Sequence, residues 1–303
     1  MRHTAAAALL ALLSPGLVWA QPVFRTGVEL INFGVTVVDR KGTLLDDLRA
    51  DDFVVLEDGK PQRVELFARG DASEIPLRLG LLFDTSGSME QDIAMSRSAA
   101  IKFLNTLPKA DDITLVDFDT EVRVARYSQA DFPRLVQRIR ERKPDGYTAL
   151  YDALGVYLDG AGDASGQKIL VIYTDGDDTR SAMTFGDALN LVKASDVTVY
   201  GVGFLENQSN FSKMDQRLRL QQLAEATGGQ AFFPSSLKQL NEVYAKIVEE
   251  VRARYTLGYQ SSDTSTDGAW RDVEIKLARP DLRSAKIRTR KGYFAPLRQS
   301  HQD

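Results

Sequence analysis

The sequence contains no cysteine, and its only two histidines, His3 and His301, stand at the extreme ends. The first absence excludes disulfides, thiol nucleophiles and thiolate metal sites. The second removes the imidazole that a Ser-His-Asp triad or a Cys/His zinc site needs. Chemistry in this chain therefore rests on carboxylates, hydroxyls, amides and backbone groups, a donor set that favours hard cations such as Mg²⁺ over Zn²⁺ or Cu²⁺. A strong charge imbalance is also missing: 38 Lys and Arg stand against 42 Asp and Glu, a formal net charge of -4. No global basic field draws the chain to nucleic acid or to an anionic membrane. What is present is a chain of 303 residues with 43% hydrophobic and 26% charged content, enough for a sizeable core in one large domain or two smaller ones.

Long apolar runs are scarce. The N-terminus has a basic start at Arg2, a short apolar stretch from Thr4 to Leu13, a break at Pro15-Gly16 and the small-residue pattern Val18-Trp19-Ala20. This predicts a signal peptide over residues 1–20, cleaved after Ala20, too short and broken to span a membrane as a stable helix. The expected mature protein is exported, periplasmic or secreted, and not membrane-spanning.

The middle of the chain alternates two textures. Short continuous apolar runs at Leu79–Phe83, Ile113–Val116, Ile169–Tyr173 and Val197–Val202 read as strands buried on both faces, with helical segments between them. This rhythm predicts an α/β fold with a doubly wound, mostly parallel sheet. Ile113–Phe118 and Val122–Tyr127 are too close for a helical crossover and are expected to form an antiparallel hairpin at the sheet edge. Leu237, Leu240, Val243, Tyr244, Ile247, Val248 and Val251 recur at steps of three and four, one face of a helix that begins after Pro234-Ser235-Ser236.

The flanks read as β structure. Residues 28–69 hold alternating patterns around an Asp58-Gly59 turn, and Tyr255–Gln260, Asp272–Leu277 and Ala285–Thr289 read as strands. Neither flank has enough strands for a core, so the expectation is one β-sandwich-like domain (residues 21–76 and 254–297) with the α/β domain (77–253) inserted in it and a tail at 298–303. Ala285, Ile287 and Thr289 alternate with Lys286, Arg288 and Arg290, which reads as a strand with a solvated basic face, or as a patch for anionic headgroups or glycans.

Directly after the first buried strand comes Asp84-Thr85-Ser86-Gly87-Ser88. Alternate side chains of an extended segment point the same way, so Asp84, Ser86 and Ser88 are placed to converge as oxygen ligands, at the strand end where open α/β sheets bind ligands. Gly146-Tyr147-Thr148 opens a helix at the same edge, and Thr174-Asp175-Gly176 closes another strand there. Asp84, Ser86, Ser88, Thr148 and Asp175 together offer two carboxylates and three hydroxyls. That set suits Mg²⁺ or Mn²⁺ and is short of ligands for Ca²⁺. Asp152 is read as serving the first turn of its helix, Asp117 and Asp119 as turn residues, and Asp177 and Asp178 as an exposed acidic loop.

These residues resemble the metal-ion-dependent adhesion site of the von Willebrand factor A domain superfamily, whose pattern is D-x-S-x-S, a later Thr, and an Asp in T-D-G. Asp84, Ser86 and Ser88 match the first element, Thr148 the second and Asp175 the third. The segments LAEATGGQAFFP (Leu223–Pro234), RYTLGY (Arg254–Tyr259) and RKGYFAP (Arg290–Pro296) extend the resemblance to bacterial proteins related to that family. It implies a non-enzymatic module that binds Mg²⁺ and captures an Asp or Glu of a protein partner, with the faces around Ser86, Tyr147 and Asp177 choosing the partner. A metal-dependent hydrolase and a structural envelope component are the alternatives. The D-x-D pattern of a phosphatase nucleophile is absent, because Ser86 occupies the second position.

Overall fold

The computed structural model describes residues 30–70, 75–107, 110–162, 165–175, 178–206 and 208–297. The signal peptide expected over residues 1–20, the tail at 298–303 and Asp177 lie outside these residues.

The N-terminal flank forms β1 (Ile31–Val38), β2 (Phe53–Glu57), β3 (Lys60–Gln62) and β4 (Val64–Arg69). The turn between β2 and β3 is Asp58-Gly59, with φ of 47° and 77°. Two consecutive positive φ values are what a two-residue hairpin needs to match strand twist, and Asp-Gly tolerates them. The chain then enters β5 (Leu77–Asp84), α1 (Ile93–Thr106), β6 (Asp112–Phe118), β7 (Val122–Tyr127), α2 (Phe132–Glu141), α3 (Leu150–Ala161), β8 (Gln167–Thr174), α4 (Phe185–Ala194), β9 (Thr198–Gly203), α5 (Asn210–Glu225), β10 (Ala231–Phe232) and α6 (Leu237–Ala253). It leaves through β11 (Tyr255–Tyr259), β12 (Trp270–Leu277), β13 (Lys286–Arg288) and β14 (Gly292–Phe294).

The central sheet runs β10-β9-β8-β5-β6-β7, parallel except for β7, which pairs antiparallel with β6 at the edge as expected. Because β5 and β8 are covered on both sides, their residues are apolar on both faces. Leu79, Leu81 and Phe83 pack with Phe103 of α1, Leu135 of α2 and Tyr244 and Ile247 of α6. Leu82, Leu170 and Ile172 pack with Leu154 of α3, Val192 of α4 and Leu220 of α5. Each fully buried side chain of this size contributes roughly 1.5–3 kcal/mol. In α6 the expected stripe is buried apart from Val243, which is partly buried, and Leu237, which is exposed in the first turn, and Ser236 caps the helix by accepting from the Gln239 N–H at 3.3 Å.

The flanks interleave. One sheet runs β13-β1-β11-β4 and the other β14-β12-β2-β3, so each contains strands from both chain ends. Phe33, Val35, Val55, Tyr255, Leu257, Val273 and Ile275 form their shared core. The fold is thus a doubly wound α/β unit inserted in a β-sandwich-like domain. Strand β14 was not expected from the sequence, since three residues of GYF are too few to show alternation.

The basic face expected at Lys286, Arg288 and Arg290 requires correction. Lys286 is exposed, but Arg288 reaches Glu250 of α6 at 2.9 Å, and Glu250 is buried. Arg290 is itself buried: it donates to the carbonyls of Ser195 at 3.1 Å and Asn32 at 2.9 Å, and lies 4.4 Å from the Phe33 ring centroid. Alternation correctly separated the two faces of this segment. The α/β unit covers the face that alternation alone assigns to water.

Candidate metal centre

Strand β5 ends at Asp84, and the chain then turns across the carboxyl edge of the sheet. The turn is tied on both sides. Thr85 donates its N–H to the Phe118 carbonyl at 2.8 Å and accepts from the Asp145 N–H at 2.9 Å, while the Gly87 N–H reaches the Gly146 carbonyl at 3.1 Å. The 84–88 segment is thereby laced to the loop that delivers Thr148. Gly146 has φ of 73°, and a Cβ there would run into Thr120 Oγ1, so only glycine fits. Thr120 Oγ1 in turn accepts the Tyr147 N–H at 2.9 Å.

Four of the five expected ligands, Asp84, Ser86, Thr148 and Asp175, are buried, and Ser88 is exposed. Asp84 Oδ1 accepts the Ser86 N–H at 2.9 Å and Oδ2 accepts the Thr174 hydroxyl at 2.5 Å. The Ser86 and Ser88 hydroxyls lie 3.0 Å apart. Thr148 is held by its backbone, which accepts from the Thr179 and Arg180 N–H groups and donates to Thr179 Oγ1, all within 3.1 Å. Asp175 Oδ2 accepts the Gln208 side-chain amide at 2.8 Å. The structure therefore brings the three sequence elements to one edge.

The electrostatics of this edge are unfavourable on their own. Burial, and then the neighbouring charge of Asp175, push the Asp84 carboxyl up to about 7, against the hydrogen bonds from Ser86 and Thr174 that pull it down. Among the described residues, Asp84 is met by the Ser86 N–H, the Thr174 hydroxyl and the like charge of Asp175. A dication removes that repulsion, and the surrounding hydroxyls add neutral hard donors, so the residues present fit a Mg²⁺-type ion. Among the described residues no cluster of three or more His, Cys, Asp or Glu is spaced to hold a metal. A site of two carboxylates and three hydroxyls would not form such a cluster. A cavity of about 740 Å³, between α3, α4 and the sandwich, includes none of the five residues.

Several neighbouring acids differ from their sequence reading. Asp117 is not a turn residue: it is buried at the end of β6 and meets Arg138 at 2.5 Å, Arg142 at 2.8 Å and Arg123 at 3.8 Å. Asp119 does serve the turn, accepting the Glu121 N–H at 2.9 Å. Asp178 is no free acidic loop residue, because it accepts the Tyr151 N–H at 2.9 Å and so satisfies a donor in the first turn of α3. Asp152, in that first turn, accepts the N–H groups of Ala182 and Met183 at 3.0 Å, clasping the β8–α4 loop in return. Ser86 offers no exposed face, while Gly87, Ser88 and Tyr147 do. Gln208 and Thr174, which touch the two aspartates, were not singled out. Thr174 precedes Asp175 and carries a visible hydroxyl, whereas nothing in the sequence around Gln208 marks it.

A mostly parallel sheet with helices on both faces and an oxygen-rich turn at its carboxyl edge defines a doubly wound α/β domain whose ligand edge is the carboxyl end of its strands. Residues 79–246 match the von Willebrand factor type A domain, and the chain belongs to that family. Among solved structures, a von Willebrand factor type A protein from Catenulispora acidiphila superposes with a TM-score of 0.50 at 13% identity, covering 91% of this chain and 76% of the other. The pilus adhesin SpaC from Lactobacillus rhamnosus GG, in its open conformation, gives 0.51 at 10% identity, covering 81% of this chain and 48% of the adhesin. At such identities the likeness is one of fold. Among curated proteins, none matches the sequence.

Proposed function

We propose that the chain is an exported interaction protein, not an enzyme, that uses a divalent ion held by Asp84, Ser86, Ser88, Thr148 and Asp175 to capture a carboxylate of a partner protein in adhesion or assembly. One observation supports this reading: Asp84 is buried, the nearby charge of Asp175 helps to push it up to about 7, and among the described residues it forms no ion pair and is met by the Ser86 N–H and the Thr174 hydroxyl. When bound, Mg²⁺ or Mn²⁺ supplies an open coordination position that an incoming Asp or Glu can take. Asp84 and Asp175 balance the dication, so a third carboxylate enters a near-neutral site. Ser86, Ser88 and Thr148 contribute neutral oxygens, and Thr174 and Gln208 hold the two carboxylates in place. Without the ion the aspartates repel the partner's acid, so chelation abolishes binding.

Export rests on the residue pattern of 1–20, and among the described residues no helix is long and apolar enough to cross a membrane. The proposed limits are 21–76 and 254–297 for the sandwich and 77–253 for the inserted unit. The test is calorimetric titration of Mg²⁺ and Mn²⁺ into wild type and Asp84→Ala, beside a pull-down from envelope extract with and without EDTA. Equal metal affinity in both proteins, or capture that ignores EDTA, overturns the reading.

A further inference from the structure

Helix α5 carries its apolar residues on two faces. Leu220, Leu223 and Ala224 are buried against the sheet, as an amphipathic helix requires. Phe211, Met214 and Leu218 recur at steps of three and four on another face and are 87%, 76% and 52% exposed. Meanwhile Gln216, only 3% exposed, occupies the buried side. Single exposed apolar residues are ordinary, but three aligned on one helix while a glutamine is buried opposite them is an arrangement that folding does not demand.

The position of this stripe gives it meaning. It begins three residues beyond Gln208, whose amide holds Asp175 Oδ2 at 2.8 Å, so the exposed face starts at the rim of the candidate metal centre. From Phe211 to Leu218 the helix rises about 10 Å. On the side of Thr148, Tyr147 is 65% exposed. The cations of this helix are engaged within the chain, Lys213 beside Glu206 at 4.0 Å, Arg219 with Asp215 at 2.6 Å and Arg217 over the Phe233 ring at 4.1 Å, so the stripe itself offers apolar contact and the metal centre the attraction for an acid.

We propose that the partner docks on this stripe, and that it is a protein segment in which the metal-seeking Asp or Glu is followed or preceded by large apolar side chains. In an extended segment of about 3.3 Å per residue, those side chains fall roughly two to five positions from the acid to lie along Phe211, Met214 and Leu218. The metal bond supplies dependence on the ion, and the stripe supplies the discrimination among acidic partners that one carboxylate cannot. The inference rests on the metal-dependent reading above.

The test uses the full chain loaded with Mg²⁺ and a phage-displayed library of random twelve-residue peptides, eluted with EDTA. The expected eluate is enriched in peptides with one acid and an apolar residue two to five positions away. Their synthetic forms should bind Phe211→Ser and Met214→Ser about tenfold more weakly each, with Mg²⁺ affinity unchanged in both variants. EDTA-eluted peptides that share an acid but no apolar position overturn the docking stripe and leave the metal reading intact. An eluate with no common acid overturns both. Binding of the wild-type chain to phosphatidylcholine and phosphatidylglycerol vesicles that is lost in Phe211→Ser would make the stripe a membrane contact. Self-association lost in the same variant would make it a contact between copies. Either result overturns the proposal.

Discussion

Asp84 and Asp117 lie one register step apart on the neighbouring strands β5 and β6, both buried, and the protein treats them in opposite ways. Asp117 is met by Arg138 at 2.5 Å and Arg142 at 2.8 Å, with Arg123 at 3.8 Å. Asp84 is met by hydroxyls, an amide and a second carboxylate. Asp117 has its counterions within the chain, whereas among the described residues Asp84 forms no ion pair, so the two buried acids respond differently to pH and to cations.

The largest expected effect tests the uncompensated side. In EDTA the folded protein holds the Asp84 proton more tightly than the unfolded chain, because its value stands at about 7 against an ordinary 3.8. The associated stability is therefore full below about pH 4 and is lost as pH rises through about 7, by at most about 4 kcal/mol. Urea unfolding at pH 5 and pH 8 measures it, and saturating Mg²⁺ should reverse the trend by favouring the ionised form. An EDTA-treated protein more stable at pH 8 than at pH 5 breaks the comparison.

Next in size, Asp84→Ala should weaken Mg²⁺ binding at least about a hundredfold, near 2.7 kcal/mol, and Thr148→Ala only about tenfold, because one removes a balancing charge and the other a neutral donor. Calorimetric titration of the two variants gives the order. On the compensated side, Asp117→Ala should cost about 1–3 kcal/mol of folding stability, since it strips three arginines of their shared partner, which partial solvation of those side chains moderates. Its Mg²⁺ affinity should stay within about threefold of wild type if Asp117 is structural. Smallest of all, Asp178→Ala should lower the melting temperature through the loss of about 1 kcal/mol, as it removes the acceptor for the first turn of α3. Thermal unfolding followed by circular dichroism resolves a change of that size.

The contrast between the two aspartates also separates what the sequence discloses from what it conceals. The strand runs, the edge hairpin and the turn after β5 were legible because each is local: an apolar run, a short connection, a turn with alternate hydroxyls; the joint role of Asp84, Ser86, Ser88, Thr148 and Asp175 as ligands belongs to the proposal. The counterions of Asp117 were not, because Arg138 and Arg142 come from α2 and its C-cap, and only tertiary packing carries them to β6. The same blindness misassigned Arg288 and Arg290, whose strand alternates correctly but faces another part of the protein. Gln208 was invisible for a third reason: an amide that orients a ligand has no spacing rule tying it to that ligand.

The woven sandwich constrains the order in which the protein can assemble. Arg254 bonds the Gly34 carbonyl across 220 positions of chain, a loop whose closure in an unfolded polypeptide is slow as well as entropically costly. Once the central sheet and its helices have formed, the Gly70 N–H stands 2.8 Å from the Arg254 carbonyl, and the long loop has become a short one. The inserted unit thus acts as the clasp for the domain that surrounds it, and β1, β4 and the outer edge of the β2–β3 hairpin wait for β11 and β12 until the last fifth of the chain has been made. Refolding followed separately in the two cores should show the sandwich closing second.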